Sequence, residues 1–292
     1  MKTILVLTDF SKTARVAANF ASAIGCRLES ALLLLNSYQL PFALFSAETE
    51  GRSIVDSALI ATASESGLKK EARRLRRLID KQTTTAFKPK VTTFASIESI
   101  AQILKNLNPS LQISMMVMGM HHTSLPLIFS AIDLEGLLKQ LNYPLLIIPK
   151  NHKGTQIADF VFATDLGDDD LSFLRRIQPF AQKHKFNIHV CHIAKPVFIP
   201  DFIQEDKVTK FERNVAMLGR ANITFTLLKG ENMIKTLNEF NATIGADMLG
   251  IIYNPHSLLY KVLNGSHTTK LARHQKLPLL IFPANLLAKH HG

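Results

Sequence analysis

At 292 residues the chain is long enough for two domains of ordinary size, roughly 100–200 residues each. Hydrophobic residues make up 47% and charged residues 20%, a balance that excludes a disordered chain and supplies apolar material for two cores. A formal charge of +11, from 34 Lys and Arg against 23 Asp and Glu, favours polyanions in general: nucleotides, nucleic acid or acidic membrane surfaces.

In chain order, short apolar runs alternate with helical periodicity. The first half predicts strands near 3–8, 30–36, 90–94, 113–118 and 144–148, with helices near 12–24, 62–82, 97–107 and 131–141. Ser11 is placed to cap the first helix, its hydroxyl satisfying an orphan backbone N–H. Between Pro41 and Gly67 the pattern is poor. The polar stretch from Lys150 to Gln156 reads as a linker. The second half predicts strands near 158–163, 187–193, 222–228, 247–252 and 278–282, and helices near 169–184, 201–219, 231–243 and 265–275. Pro109 and Gly245 punctuate the approach to the fourth strand of each half.

The halves echo each other. Ile4-Leu5-Val6-Leu7-Thr8-Asp9 recurs 156 residues later as Phe160-Val161-Phe162-Ala163-Thr164-Asp165. Pro144-Leu145-Leu146-Ile147-Ile148-Pro149 recurs 134 residues later as Pro278-Leu279-Leu280-Ile281-Phe282-Pro283, so the second copy is 22 residues shorter between these landmarks. The expected fold class is therefore α/β: two tandem doubly wound, Rossmann-like domains over 1–150 and 156–284. Each is a five-stranded parallel sheet flanked by helices, because continuous runs such as Leu32-Leu33-Leu34-Leu35 suit strands buried on both faces. A ligand would sit beyond the carboxyl ends of the strands, where strand order reverses. The flat apolar closing strands would be aggregation-prone edges if exposed, so they are expected to pair across the halves as an intrachain pseudo-dimer.

These residues resemble the universal stress protein family in its tandem two-domain form, over about residues 2–149 and 157–283. The resemblance rests on the opening strand ending in Asp, the five-strand alternation, and the closing apolar strand after a proline. Nucleotide-binding members carry G-x2-G-x9-G-[ST] after the fourth strand, where glycines let backbone amides approach phosphates and the final pair opens a helix. This chain keeps fragments. Gly119 matches the first glycine of the first half, but His122 holds the second position and Ala131-Ile132 the last. In the second half Gly265 and Ser266 match, while Ile252 and Pro255 replace the earlier glycines. The resemblance implies candidate cofactor-binding residues Asp9, Ser37 and Gly119 in the first half, and Asp165, Ile193, Gly265 and Ser266 in the second. Each Asp is open to a second reading as a cap or loop anchor, and Gly265-Ser266 to one as a plain helix start. A small anion at Gly265-Ser266, with Asn254, His256, Lys261 and His267 nearby, is a further option.

Other chemistry is set aside. The stretch Lys69-Lys70-Glu71-Ala72-Arg73-Arg74-Leu75-Arg76-Arg77 places Lys69, Arg73 and Arg77 on one helix face, read as solvated or as a polyanion patch. Histidines are many, among them His121, His184, His189, His192, His274, His290 and His291, yet none shows metal-ligand spacing. Asp168-Asp169-Asp170 complements a helix dipole, and the Met115–Met120 run fits a core strand. No Walker A sequence, nucleophile elbow or dinucleotide fingerprint occurs, so no catalytic or metal site is expected. Cys26 and Cys191 lie in different halves, no apolar stretch approaches the ~18 residues of a membrane span, and the opening apolar run is too short for a signal peptide. The expectation is a cytoplasmic, non-enzymatic binding or regulatory module with an unknown protein partner, no membrane association, and the option of further homo-oligomers. The alternative is an adenine-nucleotide sensor, binding ATP or a relative mainly through the second half.

Overall fold

The structure, a computed structural model, describes residues 1–38, 50–82, 87–107, 110–120, 137–138, 140–194, 202–218, 222–254 and 276–288. The chain divides into two compact units, Met1–Thr155 and Gln156–Gly292.

In the first unit the described elements run β1 (Thr3–Leu7), α1 (Lys12–Arg27), β2 (Ala31–Ser37), α2 (Glu50–Gln82), β3 (Val91–Ser96), α3 (Ile100–Asn106), β4 (Ile113–Met120) and β5 (Leu145–Pro149). The strands are parallel in the order β3-β2-β1-β4-β5, so strand order reverses between β1 and β4. Ile4, Leu5, Val6 and Leu7 of the central strand are fully buried, as a strand covered on both faces requires. Burying each such side chain stabilises the fold by roughly 1.5–3 kcal/mol. The buried stripe of α1 is largely small, with Ala14, Ala17, Ala18 and Ala21, and this lets the helix lie close against the sheet. Edge strand β3 exposes Thr92, Thr93 and Phe94 and is rich in residues that tolerate water.

The second unit repeats the plan with β6 (Asp159–Ala163), α4 (Asp168–His184), β7 (Asn187–Ala194), α5 (Phe202–Met217), β8 (Ile223–Lys229), α6 (Met233–Ile244), β9 (Met248–Tyr253), β10 (Leu279–Pro283) and a short α7 (Asn285–Ala288). Its parallel order is β8-β7-β6-β9-β10, reversing between β6 and β9. Phe160, Phe162, Phe173 and Phe186 form its aromatic core, with Phe162 and Phe173 stacked at 4.8 Å. Gly245 ends α6 in the left-handed conformation, φ +70°.

One helix departs from its sequence reading. The pattern starts a helix near 62, whereas α2 begins at Glu50. Leu59 is 62% exposed, so an apolar residue sits on the solvent face and the 3.6-residue period fails there. From Ser64 onward the buried stripe is regular: Ser64, Leu68, Glu71, Ala72, Leu75 and Ile79.

Candidate functional site

The carboxyl ends of β1, β2 and β4 bring Asp9, Ser37 and Gly119 to the same rim of the first unit's sheet. The chain leaves β1 through a tight turn in which Phe10 takes φ +63°. Thr8, buried, accepts the Phe10 N–H at 3.1 Å, and Asp9 Oδ1 accepts the Ser11 N–H at 3.0 Å. Ser11 caps α1 as its sequence position predicts, its Oγ accepting the Ala14 N–H at 3.1 Å. The Ser37 hydroxyl donates to the Glu98 carbonyl at 2.7 Å, tying the end of β2 to the loop before α3. Gly119 has a packing reason: a Cβ there would stand 2.8 Å from the Thr13 carbonyl oxygen, so the first turn of α1 occupies the space of its missing side chain.

One residue before Ser37 lies a polar group outside the family spacing. Asn36 is buried; its Nδ2 donates to the Thr8 carbonyl at 2.6 Å and its Oδ1 accepts from Ser64 Oγ at 2.6 Å. It joins the end of β1 to α2. The signal in the sequence is a polar residue closing the run Leu32–Leu35.

The second unit builds the same turn with different chemistry. Leu166 takes φ +63°, and Thr164 Oγ1 accepts its N–H at 2.8 Å. Gly167 stands where Ser11 stands and has no side chain to cap α4. The acceptor comes instead from Asp170, which is 5% exposed. Its Oδ2 receives the Thr164 hydroxyl at 2.6 Å and the N–H groups of Asp165 and Gly167 at 3.0 Å each. Burial pushes this carboxyl up to about 6, outweighing the hydrogen bonds that favour its charged form. The three acidic residues are thus not equivalent: Asp170 holds the turn together, while Asp169 Oδ2 accepts from Asn254 at 3.5 Å.

Register places His192 where the first unit has Asn36: Leu35 pairs with Leu7, and Cys191 with Ala163. His192 makes the equivalent bridge. A carbonyl only accepts, so Nδ1 donates to the Thr164 oxygen at 2.8 Å; Nε2 then accepts from Gln204 on α5 at 3.2 Å. Beside it, Ile193 brings a half-buried apolar side chain to the rim next to Asp165, in place of the Ser37 hydroxyl. In β9, Ile252 is buried. Gly265 and Ser266 lie outside the described residues, as do His122, Ala131, Ile132, Pro255, His256, Lys261 and His267.

Away from the rim, His189 Nε2 donates to Asp159 Oδ1 at 2.8 Å, and its Nδ1 lies 3.2 Å from Thr224 Oγ1. Hydrogen bonds from Asn187 and His189 hold the Asp159 carboxyl below the usual carboxylate range. Cys191, on the same strand, is fully buried, which pushes its thiol up to about 12. Among the described residues no three His, Cys, Asp or Glu side chains come together as a metal site, and no helix is long and apolar enough to cross a membrane.

No protein-family model matches the sequence, and no curated protein matches it. Solved structures do. A universal stress protein from Archaeoglobus fulgidus DSM 4304 aligns at TM-score 0.66 and 14% identity, covering 96% of each chain. A functionally unknown protein from Pseudomonas aeruginosa PAO1 aligns at TM-score 0.60 and 14% identity, over 98% of this chain and 94% of its own. Taken with the two repeated units, these likenesses assign the architecture: the chain carries the universal stress protein fold, laid out twice in tandem.

Proposed function

We propose that the chain is a non-catalytic binding or regulatory module of the stress response, acting through a protein partner rather than by turning over a nucleotide. What supports this reading is the commitment of the rim groups to their own backbone. Ser37 is tied to Glu98, an Asp9 carboxylate oxygen to the Ser11 N–H, and the space at Gly119 is filled by Thr13. In the second unit Ile193 and Ile252 bring hydrocarbon to positions where a nucleotide site needs donors and close backbone approach. Both cysteines are described and neither is in a disulfide, which suits the proposed cytoplasmic location. The intrachain pseudo-dimer belongs to the same proposal; after proteolysis within Lys150–Gln156, halves that separate on a sizing column count against it.

The test is isothermal titration of the full chain with ATP, ADP, AMP and a cyclic dinucleotide, paired with the 260 nm absorbance of the denatured, purified protein. The expected result is no saturable heat and no excess absorbance. Submicromolar ATP binding that is lost on Asp165→Ala overturns the reading in favour of an adenine-nucleotide sensor working through the second half.

A further inference from the structure

The first unit carries a concavity that starts at the Phe10 turn after β1 and follows the helices outward. A groove of about 1110 Å³ runs between α1 and α2, and among the described residues six cations line it: Arg15, Lys70, Arg73, Arg74, Arg77 and Lys81. The single carboxylate among its described lining residues, Glu71, is buried and already engaged. Arg74 grips it through two hydrogen bonds of 2.6 and 2.9 Å, and Arg15 Nε stands 3.9 Å away. Among the described residues Lys70, Arg73, Arg77 and Lys81 have no carboxylate partner, and all four are exposed. The cationic surplus among the described residues is therefore uncompensated.

The spacing narrows the ligand class. Lys70, Arg73, Arg77 and Lys81 recur about once per helical turn, giving a row of positive charge roughly 16 Å long at ~1.5 Å per residue. Such a row matches a chain of regularly spaced charges. A flat lipid surface cannot follow it into a groove, where Arg15 and Arg74 also lie. Four of the six cations are arginine, whose planar fork pairs with phosphate oxygens and stacks on flat rings. Apolar surface is interleaved with them: Leu78 lies along the groove, and Phe10, 36% exposed, marks one end. Gly67 makes room for that ring, since a Cβ there would stand 2.8 Å from Phe10 Cζ. A basic track with an aromatic beside it is the arrangement by which proteins hold single-stranded nucleic acid without reading its sequence.

We infer that the α1–α2 groove binds the backbone of a short single-stranded nucleic acid, with phosphates along the Lys70–Lys81 row and a base against Phe10. This site meets the rim at the Phe10 turn, but its cations lie on α1 and α2 and it does not depend on the reading given for Asp9, Ser37 and Gly119.

Fluorescence anisotropy of the full chain with a labelled 15-nucleotide single strand, across a salt series, tests it. Binding is expected to weaken with salt at a log–log slope of roughly −3, from about −0.7 per phosphate over some four phosphates. R73E/R77E is expected to weaken binding at least tenfold at 0.1 M salt and to flatten the slope by about 1.4. K207E/K210E, which makes the same charge change at exposed positions of α5, is expected to change affinity less than threefold. R77Q/K81Q, a milder change at exposed positions, provides the reading if the reversals do not fold by circular dichroism. Phe10→Ala is expected to cost at least about fivefold in affinity for the oligonucleotide. Equal losses in R73E/R77E and K207E/K210E overturn the groove in favour of a general field of net charge. Duplex bound as tightly as single strand, or sedimentation with phosphatidylserine vesicles without oligonucleotide binding, overturns it too.

Discussion

The turn after β1 and the turn after β6 have the same backbone and different chemistry. Both place a buried threonine at the strand end and a non-glycine residue at φ +63°, then start a helix. In the first, Ser11 caps from the loop side; in the second, Asp170 reaches back from inside the helix and gathers three donors. Likewise Asn36 and His192 hold the same threonine carbonyl from the same register position. The geometry of the turn has outlasted the residues that make it. An aspartate at a strand end is therefore weak testimony for a ligand when its neighbours show the turn needs acceptors of its own.

The largest effect expected from breaking this comparison is at Asp170. Asp170→Ala leaves the Thr164 hydroxyl and two N–H groups without their acceptor and should cost about 3 kcal/mol in urea unfolding followed by circular dichroism. Asp170→Asn keeps a carbonyl oxygen in place and should cost less than about 1 kcal/mol at pH 7. The same pair tests the charge. Asp170 holds its proton up to about 6 when folded and to the ordinary 3.8 when unfolded. Its titration therefore favours folding in full below about pH 4, and that contribution is lost as pH rises through 6. Relative to Asp170→Asn, the unaltered chain should lose about 2–3 kcal/mol between pH 4 and pH 7.

His192→Ala comes next. It empties a buried ring site and strips the Thr164 carbonyl of its donor, for an expected loss of about 2–3 kcal/mol. If the two turns are interchangeable, His192→Asn should recover at least half of that, since Asn36 makes the equivalent bond in the first unit. No recovery would mean that the likeness of the two positions stops at the backbone. The smallest effects are at the caps. Ser11→Ala should cost about 1 kcal/mol. Gly167→Ser should gain a few tenths of a kcal/mol, because Gly167 is extended at φ −86° and the nearest atom to an added Cβ is Asp170 Oδ2 at 3.8 Å. Differential scanning calorimetry resolves both.

The strands were legible almost to the residue because buried parallel strands write themselves as unbroken apolar runs, as at Leu32–Leu35. The start of α2 was not, because residues before Ser64 do not all face a core and the period fades. The rim was partly legible. Family spacing finds Asp9, Ser37, Gly119, Asp165 and Ile193, but spacing cannot say whether a polar group faces a ligand or its own backbone. Asn36 lies outside that spacing, and the roles of His192 and Asp170, read from sequence as a plain histidine and a helix-dipole residue, were hidden. All three are buried polar groups that act on main-chain partners twenty-eight residues away or a few residues back, and such pairings exist only once the sheet has formed.

Cys191 follows from the same architecture. A thiol shut inside the sheet and kept protonated cannot attack an alkylating reagent until β7 has left its neighbours. Its rate of capture by an added alkylating reagent is thus a clock for the opening of the second unit, readable by mass at a residue the protein already carries.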